Sequence, residues 1–203
     1  MTGKPYMCDE LLFFKSEMEN IKDLIKTVHD QSKKMGWHER KKNETFYYLK
    51  LIEGLIKVSK CVSKTNRTRE FKKGVDEIEM DPDFQGYRHL INIQWLQYYI
   101  AHIHNSVGDL LADVCIWVLD MAGEFEKAID SEPLLSATPK TTEDLCVEEV
   151  KKLTEKEDLG ILFLDIESWC HNNRFDLPWY IEQRIRWRRL NDNSDGLLKK
   201  DYQ

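Results

Sequence analysis

No CxxC pair, no glycine-rich phosphate loop and no HExxH spacing occur in this 203-residue chain. Its five cysteines, Cys8, Cys61, Cys115, Cys146 and Cys170, are odd in number and widely scattered. That argues against a disulfide framework or a zinc knuckle, and for reduced thiols in a cytoplasmic protein. The first 20 residues hold only the short apolar run Leu11 to Phe14 before charge returns, too little for the apolar core of a secretory signal. No membrane span is expected either, because the most apolar stretch, Val107 to Gly123, carries three aspartates that a bilayer interior would penalise. Alternating strand patterns are absent except for one candidate in GILFLDI, residues 160–166, and neither internal repeats nor low-complexity blocks interrupt the chain. With a net charge of −6, the average surface has no attraction for nucleic acid.

What is present has the composition of a folded globular protein, 41% apolar and 33% charged, in a length that suits one substantial core of about 100–200 residues. Helical periodicity runs from Asp9 to Met35, with Leu11, Leu12, Met18, Ile21, Leu24, Ile25 and Val28 at intervals of three and four, and Gly36 marks its stop. Asn43 or Thr45 is placed to cap a second helix reaching about Lys64. The polar segment 65–86 reads as a long connection with at most short helical turns. Helical character resumes near Tyr87, breaks around Asn105 and Ser106, and continues to Ile129. Pro133 and Pro139 lie in a Ser/Thr-rich linker, residues 131–143, which divides a helical core (1–130) from a C-terminal helical extension (144–203) with a basic tail. The expected fold class is all-α.

The stretch VGDLLADVCIWVLDMAG, residues 107–123, poses the sharpest physical question. At about 3.6 residues per turn, His102, Ser106, Asp109, Asp113 and Asp120 share one helix face. That face could be a solvated stripe. Leu110, Leu111 and Val114 to Val118 nevertheless leave little room for a wide wet surface, so the line is expected to face a cleft or another helix. A buried carboxylate is costly unless a cation or a set of donors meets it, and Asp109 with Asp113, one turn apart, can jointly hold one hard cation or one basic group. Histidine supplies no obvious alternative. His102 and His104 point to different sides of a helix, and His29, His38, His89 and His171 stand isolated in the sequence, so no paired-histidine metal site is expected. Cys115, embedded among apolar residues, reads as a packing side chain rather than a nucleophile.

These residues carry a family resemblance. The segment HNSVGDLLADVCIWVLDMAGEF resembles the last core helix of MazG-like nucleoside triphosphate pyrophosphohydrolases, in which an EDELADV-type stretch precedes an LDLAG-like end. Upstream, IKTVHDQSKKMGWHERKKNETFYYLKLIEGLIKVSK is similar to that family's first helix, its glycine-aromatic turn (Gly36 and Trp37) and its second helix. The resemblance spans roughly residues 20–130. It implies an all-α bundle, pairing into a homodimer, and Mg²⁺ held by an ExxE motif on the second helix and an ExxD motif on the later one. It also implies cleavage of a nucleoside triphosphate to monophosphate and pyrophosphate. Carboxylates spaced by three on facing helices suit that task, since hard divalent ions take oxygen ligands and bridge phosphates.

The chain departs from the pattern at the ligands themselves. In the gap-free register the ExxE glutamates fall on Gly54 and Lys57, Leu110 stands where ExxD begins, and only Asp113 remains. Two readings stay open. In the first, Glu53, Asp109 and Asp113 rebuild a Mg²⁺ site that supports hydrolysis. Alternatively Lys57, with Lys60 a turn away, supplies the metal's positive charge beside Asp113, which leaves a catalytically degenerate protein that binds a nucleotide or a partner. Near the end, Arg184, Arg186 and Arg188 surround Trp187 in an amphipathic helix, and Lys199, Lys200 and Tyr202 follow. Such a helix fits a phosphate clamp with a base-stacking face, a nucleic-acid contact, or a solvated helix that pairs its arginines with the acidic core.

Overall fold

The computed structural model describes residues 7–61, 65–84, 87–129, 141–155 and 159–197. Most of the expected linker, and the tail residues Lys199, Lys200 and Tyr202, lie outside these. Eight α-helices follow one another among the described residues: α1 (Met7–Lys34), α2 (Glu44–Lys60), α3 (Thr68–Glu79), α4 (Arg88–Tyr98), α5 (Val107–Glu124), α6 (Thr142–Glu155), α7 (Leu159–Asn172) and α8 (Leu177–Leu197). A π-helical turn, Tyr99–Ile103, leads out of α4. No strand occurs among the described residues, and the fold is all-α. No helix among them is long and apolar enough to cross a membrane.

Local chemistry sets the boundaries. Gly36 adopts φ +76° just after α1 stops, a left-handed conformation that costs glycine little. The side chain of Asn43 accepts the Phe46 N–H at 3.0 Å and caps α2. Ser106 caps α5, accepting the Asp109 N–H at 3.4 Å. Both caps satisfy amides that a helix start otherwise leaves bare.

α5 is the axis of the bundle, flanked by α1, α2, α7 and α8, while α6 packs on α2 and α3 on α4. Its apolar residues are buried almost all round, with Leu111, Val114, Cys115, Val118 and Leu119 fully inaccessible. α2 lies close against it because residue 54 is glycine: a Cβ there would come within 2.7 Å of Val114 Cγ2.

Three expectations need correction. The polar segment 65–86 contains a full helix, α3, whose Phe71 and Val75 are buried one turn apart; its dense charge hides a narrow apolar stripe. Residues 160–166 are helical within α7 rather than a strand, since a short run buried on most sides has no period to separate the two. The C-terminal segment is not an appendage. Leu145, Phe163, Ile166 and Tyr180 belong to the same buried cluster as Leu51, Leu55 and Leu111, so α6 to α8 complete the core that residues 1–130 were expected to form alone.

Candidate functional site

A cleft of about 230 Å³ opens where α2, α5 and α8 meet. α2 contributes Lys50, Glu53, Gly54 and Lys57, α5 contributes Asp113 and Trp117, α8 contributes Arg184, Trp187, Arg188 and Asn191, and Trp37 enters from the turn after α1. Most of the residues singled out by the sequence thus share one wall-to-wall space. Asp109 lies behind Arg184, Lys60 is exposed on α2, and Arg186 points elsewhere, pairing with Glu79 and lying 4.4 Å over Trp95.

The stripe's first two aspartates, Asp109 and Asp113, face α8 rather than water. Arg184 bridges the two, with Nε donating to Asp113 Oδ1 at 2.8 Å and Nη1 to Asp109 Oδ2 at 2.9 Å. Arg188 makes a second ion pair with Asp113. Asp109 also accepts the Tyr99 hydroxyl and the Asn105 N–H. Burial pushes the Asp109 carboxyl above its ordinary value despite Arg184 and Tyr99. At Asp113 burial acts the same way, but Arg188 and Arg184 together outweigh it and hold the carboxyl below its ordinary value. The two acids one turn apart therefore hold one basic group jointly, the guanidinium of Arg184.

This geometry corrects the lysine substitution. Lys57 is exposed and pairs with Glu53 at 2.8 Å, and Lys50 meets the same carboxylate at 2.8 Å. Those two lysines draw Glu53 down to about 2, hydrogen bonds from Lys50 and then Lys57 being the main causes. The positive charge beside Asp113 comes instead from α8, 71 residues along the chain. Guanidinium suits that place because its fork reaches two carboxylates in one plane, which an ammonium cannot.

The rebuilt magnesium set fits no better. Glu53 is engaged by two ammonium groups, Asp109 by a guanidinium, a phenol and an amide, and Asp113 by two guanidinium groups. Four basic side chains against two acidic ones line the cleft, a field that opposes entry of a divalent cation. At position 54 the contact with Val114 leaves no room for the side chain that the family motif would need. These residues do not fit Mg²⁺.

Aromatic faces complete the cleft. Trp37 stacks on Trp117 with ring centroids 4.8 Å apart at 17°. Arg188 lies 4.3 Å over Trp37, and Arg184 lies 4.5 Å over Trp187. The Arg188 Nη1 and Trp187 Nε1 donors are buried and have no hydrogen-bond partner among the described residues. Trp37, Trp117 and Lys50 are site residues that the sequence reading does not single out: the path of the α1–α2 turn brings Trp37 to α8, while Trp117 and Lys50 lie one turn from Asp113 and Gly54 on α5 and α2, a helical spacing that could have pointed to them.

Comparison with family models, with curated proteins and with solved structures finds no match for this chain.

Proposed function

We propose that this chain binds a phosphorylated nucleoside in the cleft between α2, α5 and α8 and does not hydrolyse it, as a catalytically degenerate MazG-like protein. The observation that carries the reading is the occupation of Asp113 by Arg184 and Arg188 at the place where the resemblance implies a metal. Tryptophan faces offer stacking to a base, and the excess of basic side chains on the wall offers charge to phosphate. At about 230 Å³ the cleft takes a base or a phosphate group, with the rest of the ligand projecting outward. A nucleic-acid role for the arginine-rich helix is disfavoured, because Arg184 and Arg188 are buried in the cleft wall rather than displayed on an exposed face, and Arg186 pairs with Glu79.

Calorimetry of the full chain with α,β-bridged, non-hydrolysable nucleoside triphosphates tests this, alongside an assay for pyrophosphate release from the ordinary triphosphates. Binding that persists in chelator, without pyrophosphate release in Mg²⁺ or Mn²⁺, is the expected result. Turnover that disappears in Asp113→Asn would overturn it in favour of an active pyrophosphohydrolase. The homodimer implied by the resemblance draws support from α2, where Leu49 and Ile56, two turns apart, stay exposed. Light scattering that returns the mass of a single chain would remove it.

A further inference from the structure

The third aspartate of α5 sits in different company. Asp120 is completely buried, and the imidazoles of His29 on α1 and His38 in the turn before α2 converge on its Oδ1, Nδ1 of His29 at 3.1 Å and Nε2 of His38 at 2.9 Å. Tyr47 donates to the other oxygen, Oδ2, at 3.3 Å and fixes the plane of the carboxylate. One turn along, Glu124 Oε2 lies 3.0 Å from His38 Nδ1 and 3.9 Å from His29 Nε2. Gly123 makes the approach of α1 possible, since a Cβ there would meet His29 Cβ and Cγ at 2.6 Å.

Donor and acceptor bookkeeping exposes a deficit. His38 presents both ring nitrogens to carboxylate oxygens, at 2.9 and 3.0 Å. A neutral imidazole carries one N–H, so without a second proton on His38 one of these contacts would set lone pair against lone pair. His29 adds a second nitrogen to the oxygen that His38 already meets. A cation between the two imidazoles and Asp120 removes the conflict. Glu124 then accepts the remaining N–H of His38, which is the usual way a metal-bound histidine is oriented.

We infer that His29 Nδ1, His38 Nε2 and Asp120 Oδ1 form a binding site for a divalent transition metal of the zinc class, with Glu124 as the orienting carboxylate. One donor atom from each of His29, His38 and Asp120 lies within 4.8 Å of the others. Tetrahedral zinc with bonds of about 2.0–2.1 Å spaces its ligands about 3.3 Å apart, close to the 3.1 and 2.9 Å contacts with Asp120. Two imidazoles and a carboxylate select Zn²⁺, Fe²⁺ or Co²⁺ over Mg²⁺ or Ca²⁺, which take oxygen. The His38 side chain is 12% exposed and that of Glu124 22%, so the site reaches solvent on that side and a water can fill the fourth position. None of these four residues lines the cleft, so the metal and the nucleotide are separate proposals.

The test strips the full chain with a strong chelator, reloads it with Zn²⁺ or Co²⁺, removes excess ion by gel filtration and measures metal per chain. About one equivalent is expected, and the Co²⁺ form should show visible ligand-field bands. His29→Gln with His38→Gln should abolish the bands and lower affinity at least a hundredfold. Glu124→Gln should weaken binding about 10–100-fold while keeping the bands, because it acts through His38. The Co²⁺ spectrum of the unmodified chain needs no variant to fold. Less than a tenth of an equivalent with no visible bands would mean that protons alone close the network. Undiminished binding in the folded double-histidine variant would place the metal elsewhere. Either result overturns the inference.

Discussion

The two ends of α5 answer one problem in opposite ways. At its start Asp109 and Asp113 meet Arg184 and Arg188, cations that never lose their charge. Near its end Asp120 meets His29 and His38, which carry charge only with a second proton and can otherwise offer lone pairs. Permanent cations close a carboxylate to metal. Imidazoles leave one open to it. The resemblance implies metal at the arginine end, whereas the side chains suited to ligate one lie at the histidine end, about two turns further on.

Breaking the arginine end should have the largest effect. Arg184→Ala leaves Asp109, with no solvent-accessible surface, without its cation. Loss of one partner of a buried pair costs about 3–5 kcal/mol, so urea denaturation should show a loss of unfolding free energy of that size. Replacing the group as a set, Arg184→Met with Asp109→Leu, should recover most of the loss, since apolar substitutes of similar volume are often neutral. A double variant as unstable as Arg184→Ala alone would show that the lost stability comes from packing around Tyr99 and Trp187 rather than from charge.

The histidine end depends on a close approach, not on charge alone. Gly123→Ala should cost about 2–3 kcal/mol, in the upper part of the usual range for overpacking, because the clash is with His29 Cβ and a whole helix must shift. Metal capacity should fall with it. A stable variant with full metal capacity would show that α1 moves away freely, and would detach His29 from the site.

A third buried acid sharpens the contrast. Glu149 on α6 has a single lysine, Lys152, at 2.8 Å, while its Oε2 has no partner among the described residues. Burial raises its carboxyl from 4.5 to about 7, with Lys152 opposing and the charge of Asp165 adding to the rise. The folded chain therefore holds this proton more tightly than the unfolded one. Its contribution is fully present below about pH 4.5 and is lost as pH rises through about 7. Denaturation between pH 5 and 8 should show a fall of about 2–3 kcal/mol from this group, and Glu149→Gln should flatten that part of the profile.

How much of this was legible in the sequence follows from the range of the interactions. Helix α5, the break before it at Asn105 and Ser106, and the line of aspartates on one of its faces are written in local periodicity. The wall residues Gly54 and Lys57 were found through the motif register. Partners were harder. The arginines were noticed as a cluster, but nothing in sequence spacing joins residue 184 to residue 113. His29 and His38 stand isolated in the sequence because nine residues apart is no chelating interval on a helix; the positive-φ turn at Gly36 folds the chain back and brings the two rings together. Charge density misled at α3, where a narrow apolar stripe sufficed for burial.

The smallest effect on stability bears most directly on the cleft. Lys57 and Glu53 form an exposed pair within one helix, a contact worth at most about 0.5 kcal/mol. Lys57→Ala should therefore leave the denaturation curve almost unmoved. If the cleft receives phosphate, the same substitution removes one of its four basic side chains and the only one on α2 besides Lys50, and nucleotide affinity should drop about tenfold, the worth of one exposed charge-assisted contact. A loss of affinity that vanishes at high salt assigns Lys57 to phosphate. Unchanged affinity with unchanged stability would leave Lys57 as a solvated partner of Glu53, and ligand recognition to the guanidinium and indole groups brought by α8.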